Sequence, residues 1–192
     1  DNDIPGTEFT IGFDTALNTV MQAVDKLRDT SSSHRRCSII EVMGRNCGDM
    51  AVWSAIACGA EVCIAKETGY DEKAIIKNIR SAAQHKRHAI IIVAENIVNI
   101  DELAKAITSH TPFEARATVL GHVQRGGSPS VRDRVLASEM GVKAVEVLLN
   151  GDKHHAIACS GGKIISMPIE EALAMDDTIQ TLNQYEVFKT LW

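Results

Sequence analysis

The sequence lacks the features that mark membrane, secreted and nucleic-acid-binding proteins. No apolar run reaches the roughly 18–20 residues that a membrane-spanning helix needs. The first residues are polar and acidic, so they show no basic-then-apolar signal peptide. The formal net charge of -5 at pH 7 disfavours nucleic acid as the main partner. With 45% hydrophobic residues over 192 positions, the composition predicts a globular chain with its own core.

The cysteines show neither a disulfide framework nor the spacing of a metal site. Their number is odd, and no CxxC pair occurs. Several lie in apolar stretches, which favours free buried thiols over disulfides or metal ligands. Free thiols are typical of a reducing compartment, so we expect a cytoplasmic protein. The residues concerned are Cys37, Cys47, Cys58, Cys63 and Cys159.

Two common nucleotide-binding motifs are also missing. Residues 121–127 are glycine-rich but contain no lysine followed by Ser or Thr, so they do not form a Walker A loop. No GxGxxG pattern opens a predicted helix either. A nucleotide, if the reaction uses one, is therefore expected to bind through another motif or through a segment outside this chain.

Apolar spacing alternates between helix and strand along the chain. The clearest strand is 88–94, where four β-branched residues lie in one apolar run. Strands of this kind, separated by helices, predict an α/β fold with a parallel sheet covered by helices on both faces. No linker divides the chain, so residues 1–192 are expected to form a single lobe. Further strands are predicted at 37–42, 61–65 and 117–120, helices at 16–27, 51–58, 71–84, 101–109 and 130–150, and a loop at 29–33.

Polar residues follow the predicted strands at the edge where α/β sheets bind ligands. Arginines beside glycines suit a phosphate, because guanidinium binds phosphate oxygens in pairs and glycine lets the backbone approach. Each residue alone also fits a structural role in an ion pair, a turn or a solvated strand end. Residue types and spacing therefore predict a phosphate-binding α/β domain and no more. The residues are Asp1, Asp3, Arg45, Glu95, His122 and Arg125.

Taken together, the motifs resemble one known family. They are DNDIPGT at 1–7, TIGF at 10–13, RDTSSSH at 28–34, VMGR at 42–45 and GHVQRGGSP at 121–129. In this order and at these separations they resemble phosphofructokinase of the bacterial, ATP-dependent type, over nearly the whole chain. The resemblance implies a phosphofructokinase-like sugar-phosphate lobe, with helices around a parallel sheet.

The resemblance also implies a glycolytic reaction, transfer of the γ-phosphoryl group of ATP to the 1-hydroxyl of fructose 6-phosphate, with Mg2+ bound to ATP. Asp1 matches the general base for the hydroxyl proton, and Asp3 matches a carboxylate linked indirectly to the magnesium ion. Arg45 matches an arginine close to the transferring phosphoryl group. The sugar contacts match Met43, Gly44 and Glu95, and the 6-phosphate clamp matches His122 and Arg125.

Two more arginines, Arg36 and Arg116, match residues that the family lends across a subunit interface to the same phosphate. A site shared in this way exists only in an oligomer. The resemblance therefore implies a homotetramer, in which cooperative binding of fructose 6-phosphate is physically reasonable.

A second, allosteric pocket for ADP or phosphoenolpyruvate is implied by the same resemblance. Its cationic residues are expected to face phosphates, and Glu61 is expected to bind an effector-bound magnesium ion. Gln84 stands where some relatives have lysine, which makes the pocket less basic. A solvated pair of charges at Lys86 and Arg87 is the alternative. The matching residues are Arg28, Gly59, Glu61, Lys86 and His88.

In the family, the matching segment is preceded by a nucleotide-binding part. We therefore expect this chain to be a fragment, whether engineered, proteolytic or from a split gene. The missing residues would bind ATP, so the fragment alone is expected to be inactive. A pyrophosphate-dependent enzyme and a non-catalytic sugar-phosphate or effector-binding module stay open as alternatives. Retention of Asp1, Asp3 and Arg45 favours an enzyme over a module.

Smaller departures from the family are Asn96, where glycine is common, and residues 154–159, where His154 and His155 are expected in an exposed loop.

Overall fold

A computed structural model describes residues 1–32, 35–176 and 178–191. Its centre is a sheet of four parallel strands, as the sequence predicts: β1 (Arg36–Val42), β2 (Val62–Ile64), β3 (Ala89–Ala94) and β4 (Glu114–Val119). Their order in the sheet, which the sequence did not predict, is β2-β3-β1-β4. Ile40 of β1 lies opposite Ile92 of β3 and Thr118 of β4.

Helices cover both faces of this sheet. The prediction of a parallel sheet covered by helices on both faces is therefore confirmed. The strand bounds differ from the predicted ones by up to three residues: β4 begins at Glu114, whereas the sequence predicts a start at residue 117. The helices are α1 (Phe13–Ser32), α2 (Asp49–Cys58), α3 (Glu72–Ala82), α4 (Ile100–His110), α5 (Val131–Leu149), α6 (Ile169–Leu173) and α7 (Thr178–Thr190), with a 3₁₀ helix at Gly121–Arg125.

The continuous apolar run of β3 is explained by this two-sided cover. Ile90 and Ile92 pack with α1 and α2 on one face, whereas Ile91 and Val93 pack with α3 and α4 on the other. Successive side chains of a strand point to opposite faces, so both sets of positions must be apolar. Each fully buried isoleucine contributes about 1.5–3 kcal/mol through the hydrophobic effect.

Side-chain caps set two of the helix starts that the sequence predicts. The Asp71 carboxylate accepts from the backbone N–H groups of Lys73 (3.0 Å) and Ala74 (3.1 Å), and the Ser130 hydroxyl accepts from that of Asp133 (3.2 Å). Such caps satisfy N–H groups that have no partner within the helix.

The predicted loop at residues 29–33 is wrong where the structure describes it, because α1 continues to Ser32. The Thr30 hydroxyl donates to the backbone oxygen of Lys26, and the Ser31 hydroxyl lies 2.7 Å from that of Ser38 in the interior. Hydroxyls that would otherwise compete with the helical backbone are thus bonded within the helix or to the sheet. Ser33 and His34 lie outside the described residues.

An antiparallel hairpin, β5 (His155–Ser160) and β6 (Lys163–Pro168), is one element that the sequence did not predict, and the helices α6 and α7 that follow it are two more. His154 is exposed, as expected, but His155 is a half-buried strand residue, so the predicted exposed loop is wrong at that position. The hairpin fixes the first residues of the chain, since the Glu8 N–H donates to the Cys159 oxygen (2.9 Å) and the Cys159 N–H donates to the Thr7 hydroxyl (2.9 Å).

Two helices have the length of a membrane span, α1 with 20 residues and α5 with 19. Both carry charged residues, and α1 buries Val20 and Val24 against the sheet. Among the described residues, no helix combines the length and apolarity needed to cross a membrane.

Thiol reactivity provides a test of the packing. All five cysteines lie in the described ranges, all are free, and Cys47 alone is half-buried while the others are buried. Burial raises the pKa of Cys47 to about 11 and that of Cys58 to about 12. At pH 8 we expect a water-soluble disulfide reagent to modify at most Cys47, slowly, in the native chain, and all five thiols in urea. Rapid reaction of two or more thiols in the native chain would contradict this packing.

Candidate active site

The carboxyl ends of three strands meet at one edge of the sheet. The N–H of Glu95 donates to the oxygen of Val42 (2.8 Å), and the N–H of Leu120 donates to that of Glu41 (3.0 Å). These bonds hold the residues that follow β3 and β4 against the end of β1. The predicted convergence of the Met43, Glu95 and His122 segments is thus present, since parallel strands end on the same side.

A cavity of ≈ 590 Å³ opens at this edge. Asp1 and Asp3 line it from the N-terminal segment, Met43 from the loop after β1, and Arg125 from the end of the 3₁₀ helix. Carboxylates and a phosphate-binding type of cation therefore face one space that is large enough for a small metabolite. Gly44, Arg45, Glu95 and His122 lie in the same segments but do not line the cavity.

Asn2 anchors the two aspartates. It is 5% exposed and adopts a left-handed backbone conformation (φ 59°). Its side-chain amide donates to the Asp49 carboxylate (2.7 Å) and to the oxygen of Glu8 (3.0 Å), and its side-chain oxygen accepts from the N–H of Thr10 (2.7 Å). The Asp49 carboxylate also accepts from the Thr181 hydroxyl (2.7 Å). This buried network turns Asp1 and Asp3 toward the cavity.

The loop after β1 is held by two further features. The buried Gln124 side-chain oxygen accepts from the N–H of Met43 (3.0 Å), which links the 3₁₀ helix to this loop. Gly44 has φ 117°, and a Cβ atom there would lie 2.5 Å from the oxygen of Cys47. Only glycine fits this close approach without a backbone shift.

Arg45 extends over the end of β3. The Asn96 amide, with its oxygen toward the guanidinium, accepts from Arg45 Nη2 (3.0 Å) and Nε (3.1 Å). Glu95 precedes Asn96 and lies close enough to Glu41 that the pKa of the Glu41 carboxyl is raised, first by burial and then by the charge of Glu95. Arg45 is thus bonded to a neutral amide, next in the chain to an acidic residue of the sheet edge.

Asp133 closes the cavity from α5. It is 3% exposed and accepts from the N–H groups of Gly12 (3.0 Å) and Thr15 (2.8 Å) and from the Thr15 hydroxyl. The carboxylate thus lies at the N-termini of both α1 and α5, where negative charge is stabilised. Sequence reasoning missed Asn2, Gln124 and Asp133, because the partners of their side chains are 6 to 121 positions away in the chain.

Arg36 and Arg116 lie away from the cavity. Arg36 begins β1, so it is separated from the loop after that strand by about 20 Å of extended chain. Both arginines form ion pairs with Glu114 at the start of β4, and they lower the pKa of its carboxyl, Arg116 more strongly. Within one chain, these two predicted site residues are therefore not brought together with the others.

All five predicted effector residues line one separate cavity of ≈ 620 Å³. Arg28 donates to the oxygen of Cys58, and Gly59 ends α2 in the left-handed conformation (φ 62°). Glu61 is buried, with one oxygen 2.8 Å from Lys86 Nζ and the other accepting from the N–H of Ile90 (2.6 Å). Arg87 lines the same cavity, so three cationic side chains and His88 share it with a carboxylate that already has two partners.

Comparison with known proteins points to one family. The Phosphofructokinase family profile matches residues 1–148. The chain is 56% identical over 176 residues to an ATP-dependent 6-phosphofructokinase of Clostridium acetobutylicum, covering 91% of this chain and 55% of that protein. It is 49% identical over 192 residues to one of Bacillus mycoides, covering 100% of this chain and 60% of the relative. The chain thus spans less than two thirds of the length of these relatives.

A solved structure agrees with the sequence comparisons. The structure of phosphofructokinase from Saccharomyces cerevisiae superposes with a TM-score of 0.84 at 30% identity, over 100% of this chain and 27% of that one. The likeness therefore covers the parallel sheet, the helices around it and the hairpin that holds the first residues.

The stability of the cavity wall depends on Asp133. We expect Asp133→Ala to lower the free energy of unfolding by about 2–4 kcal/mol, because three donors lose a buried, charged acceptor. Asp133→Asn, which keeps one oxygen, is expected to cost less. Urea unfolding measures both, with Asp71→Ala, an exposed cap worth about 1 kcal/mol, as the reference. A loss for Asp133→Ala no larger than that of the reference would contradict this role.

Proposed function

The chain belongs to the phosphofructokinase family, and from this premise we propose that it supplies the acceptor-substrate half of an ATP-dependent 6-phosphofructokinase. The whole protein would transfer the γ-phosphoryl group of ATP to the 1-hydroxyl of fructose 6-phosphate. One observation carries the proposal: two carboxylates and Arg125 face the same cavity at the carboxyl edge of the parallel sheet. Identities of 49–56% to ATP-dependent enzymes favour ATP over pyrophosphate as the donor.

The geometry supports a different role for each residue at the site. Arg125, with His122 on the same 3₁₀ helix, would hold the 6-phosphate, and this would orient the sugar across the cavity. Asp1, turned inward by the Asn2 network, would accept the proton of the 1-hydroxyl as that oxygen attacks the donor. Arg45 would stabilise charge on the transferring group, and Met43, Gly44 and Glu95 would complete the sugar contacts.

The acidic residues fit a magnesium ion that arrives with its nucleotide. Among the described residues, no group of three His, Cys, Asp or Glu side chains is placed to hold a metal alone. Mg2+ is usually bound by one or two carboxylates together with substrate phosphates and waters, so the exposed Asp3 at the cavity suffices on the protein side. When bound, the ion would neutralise charge on the donor phosphates.

The position of Arg36 and Arg116 supports an oligomer. Both lie near the amino ends of their strands, whereas the cavity lies at the carboxyl ends. We propose that they complete the phosphate site of a neighbouring copy in a homotetramer. The Glu114 carboxylate would keep the two cations side by side at that interface.

Titration of fructose 6-phosphate by calorimetry tests the acceptor site. We expect weak binding, with a Kd of about 1 mM, and a loss of tenfold or more in Arg125→Ala, because a phosphate loses a charge-assisted hydrogen bond. Arg80→Ala is the matched control, since Arg80 is also exposed. Its guanidinium bonds to the backbone oxygen of His110 at the end of α4, next to the amino end of β4 and therefore at the opposite edge of the sheet.

Equal affinity of the wild-type chain and Arg125→Ala would refute the phosphate clamp. We expect no ATP-dependent phosphorylation by this chain alone, since the relatives are longer. Measured turnover would contradict that part of the proposal. Binding that appears only in an oligomeric fraction would support the role of Arg36 and Arg116.

We also propose that the second cavity binds ADP or phosphoenolpyruvate as effectors, because Arg28, Lys86 and His88 surround it with phosphate-binding groups. Lys86→Gln is expected to weaken ADP binding by about tenfold while keeping a donor for Glu61. Titration with and without Mg2+ tests whether Glu61 takes part in binding a metal. Lys143→Gln, on α5 and paired with Glu146, is the control. Unchanged ADP affinity in Lys86→Gln would contradict this assignment.

A further inference from the structure

Asn96 holds the guanidinium of Arg45 by its inner edge. Two donors of the arginine, Nη2 and Nε, lie 3.0 and 3.1 Å from one atom of the Asn96 amide. Two N–H donors can share only an acceptor, so that atom is the amide oxygen. We infer that Asn96 is a positioning residue for Arg45, an inference that rests on the proposed role of Arg45 at the transferring phosphoryl group.

The donor count shows what this contact leaves available. A guanidinium has five N–H donors, and Asn96 occupies one on Nε and one on Nη2. The remaining edge, formed by Nη1 and the second N–H of Nη2, is the fork that binds two oxygens of a phosphoryl group. The contact thus fixes the orientation of the fork without blocking it.

The neutral amide also preserves the positive charge. None of the ion pairs in the described part of the chain includes Arg45. A carboxylate in the place of Asn96 would hold the same edge of the guanidinium but would oppose an incoming phosphate. An amide is therefore the side chain that positions this cation and leaves its full charge for an anion.

The backbone of Asn96 makes the contact possible. Residue 96 follows β3 with φ 62°, a conformation that asparagine adopts more readily than most residues other than glycine. This left-handed turn directs the side chain back toward the loop after β1. Both side chains are exposed, so without this contact Arg45 would sample several rotamers.

Asn96→Gly isolates the side chain, because glycine keeps the left-handed backbone without strain. Asn96→Asp keeps an acceptor oxygen and adds a charge. The first measurement is exchange of the Arg45 Nε–H by ¹⁵N nuclear magnetic resonance, with Arg45→Lys to identify its signal and the exposed Arg87 as reference. We expect exchange in the wild type about tenfold slower than at Arg87, and equal to it in Asn96→Gly. Equal exchange already in the wild type would overturn the inference.

The second measurement compares the affinity of the chain for fructose 1,6-bisphosphate with its affinity for fructose 6-phosphate. The two ligands differ only in the 1-phosphate. Asn96→Gly is expected to weaken binding of the bisphosphate by about five- to tenfold and binding of the monophosphate by less than about twofold. Asn96→Asp should also weaken binding of the bisphosphate, but the Arg45 Nε–H should still exchange slowly. If Arg45→Lys leaves the preference for the bisphosphate intact, the proposed function of Arg45 fails. If Arg45→Lys removes that preference and Asn96→Gly does not, the inference about Asn96 alone fails.

Discussion

Parallel pairing of β1 with β3 and β4 is the constraint on which the rest of this structure depends. It brings three strand ends to one edge and leaves the starts of those strands at the other. Because both faces of such a sheet must be covered, the helices are confined to the flanks and the polar loops to the edges. The position of Arg125 at the carboxyl edge and that of the Glu114 cluster at the amino side are direct consequences.

The cavity is held less by the residues proposed to react than by those behind them. Asn2, Gln124 and Asp133 are buried, and each bonds to backbone or side-chain groups far away in the chain. A buried polar group that loses its partner is costly, so these contacts hold their segments rigidly. Asp3, Arg45 and Arg125 can then remain exposed and Asp1 half-buried, as the proposed chemistry requires.

The two cavities differ in how their charges are balanced. At the carboxyl edge of the sheet the aspartates line an open cavity, and Arg45, in an adjoining segment, is held by a neutral amide. In the second cavity Lys86 is paired with the buried Glu61, so an anionic ligand would have to share or displace that contact. Such competition lowers affinity but raises selectivity for ligands that offer both an anion and a metal or amine.

The sequence alone determined the α/β class, the strands β1 and β3, and the caps at Asp71 and Ser130, because periodicity and capping act over a few neighbouring residues. Its motifs also predicted the family, four residues that line the first cavity (Asp1, Asp3, Met43 and Arg125) and five that line the second. Only the tertiary structure decided the hairpin, the extension of α1 to Ser32, and the partners of Asn96 and Asp133. It also placed Arg36 about 20 Å from the site edge of its own chain, since distances between segments depend on packing across the whole sheet.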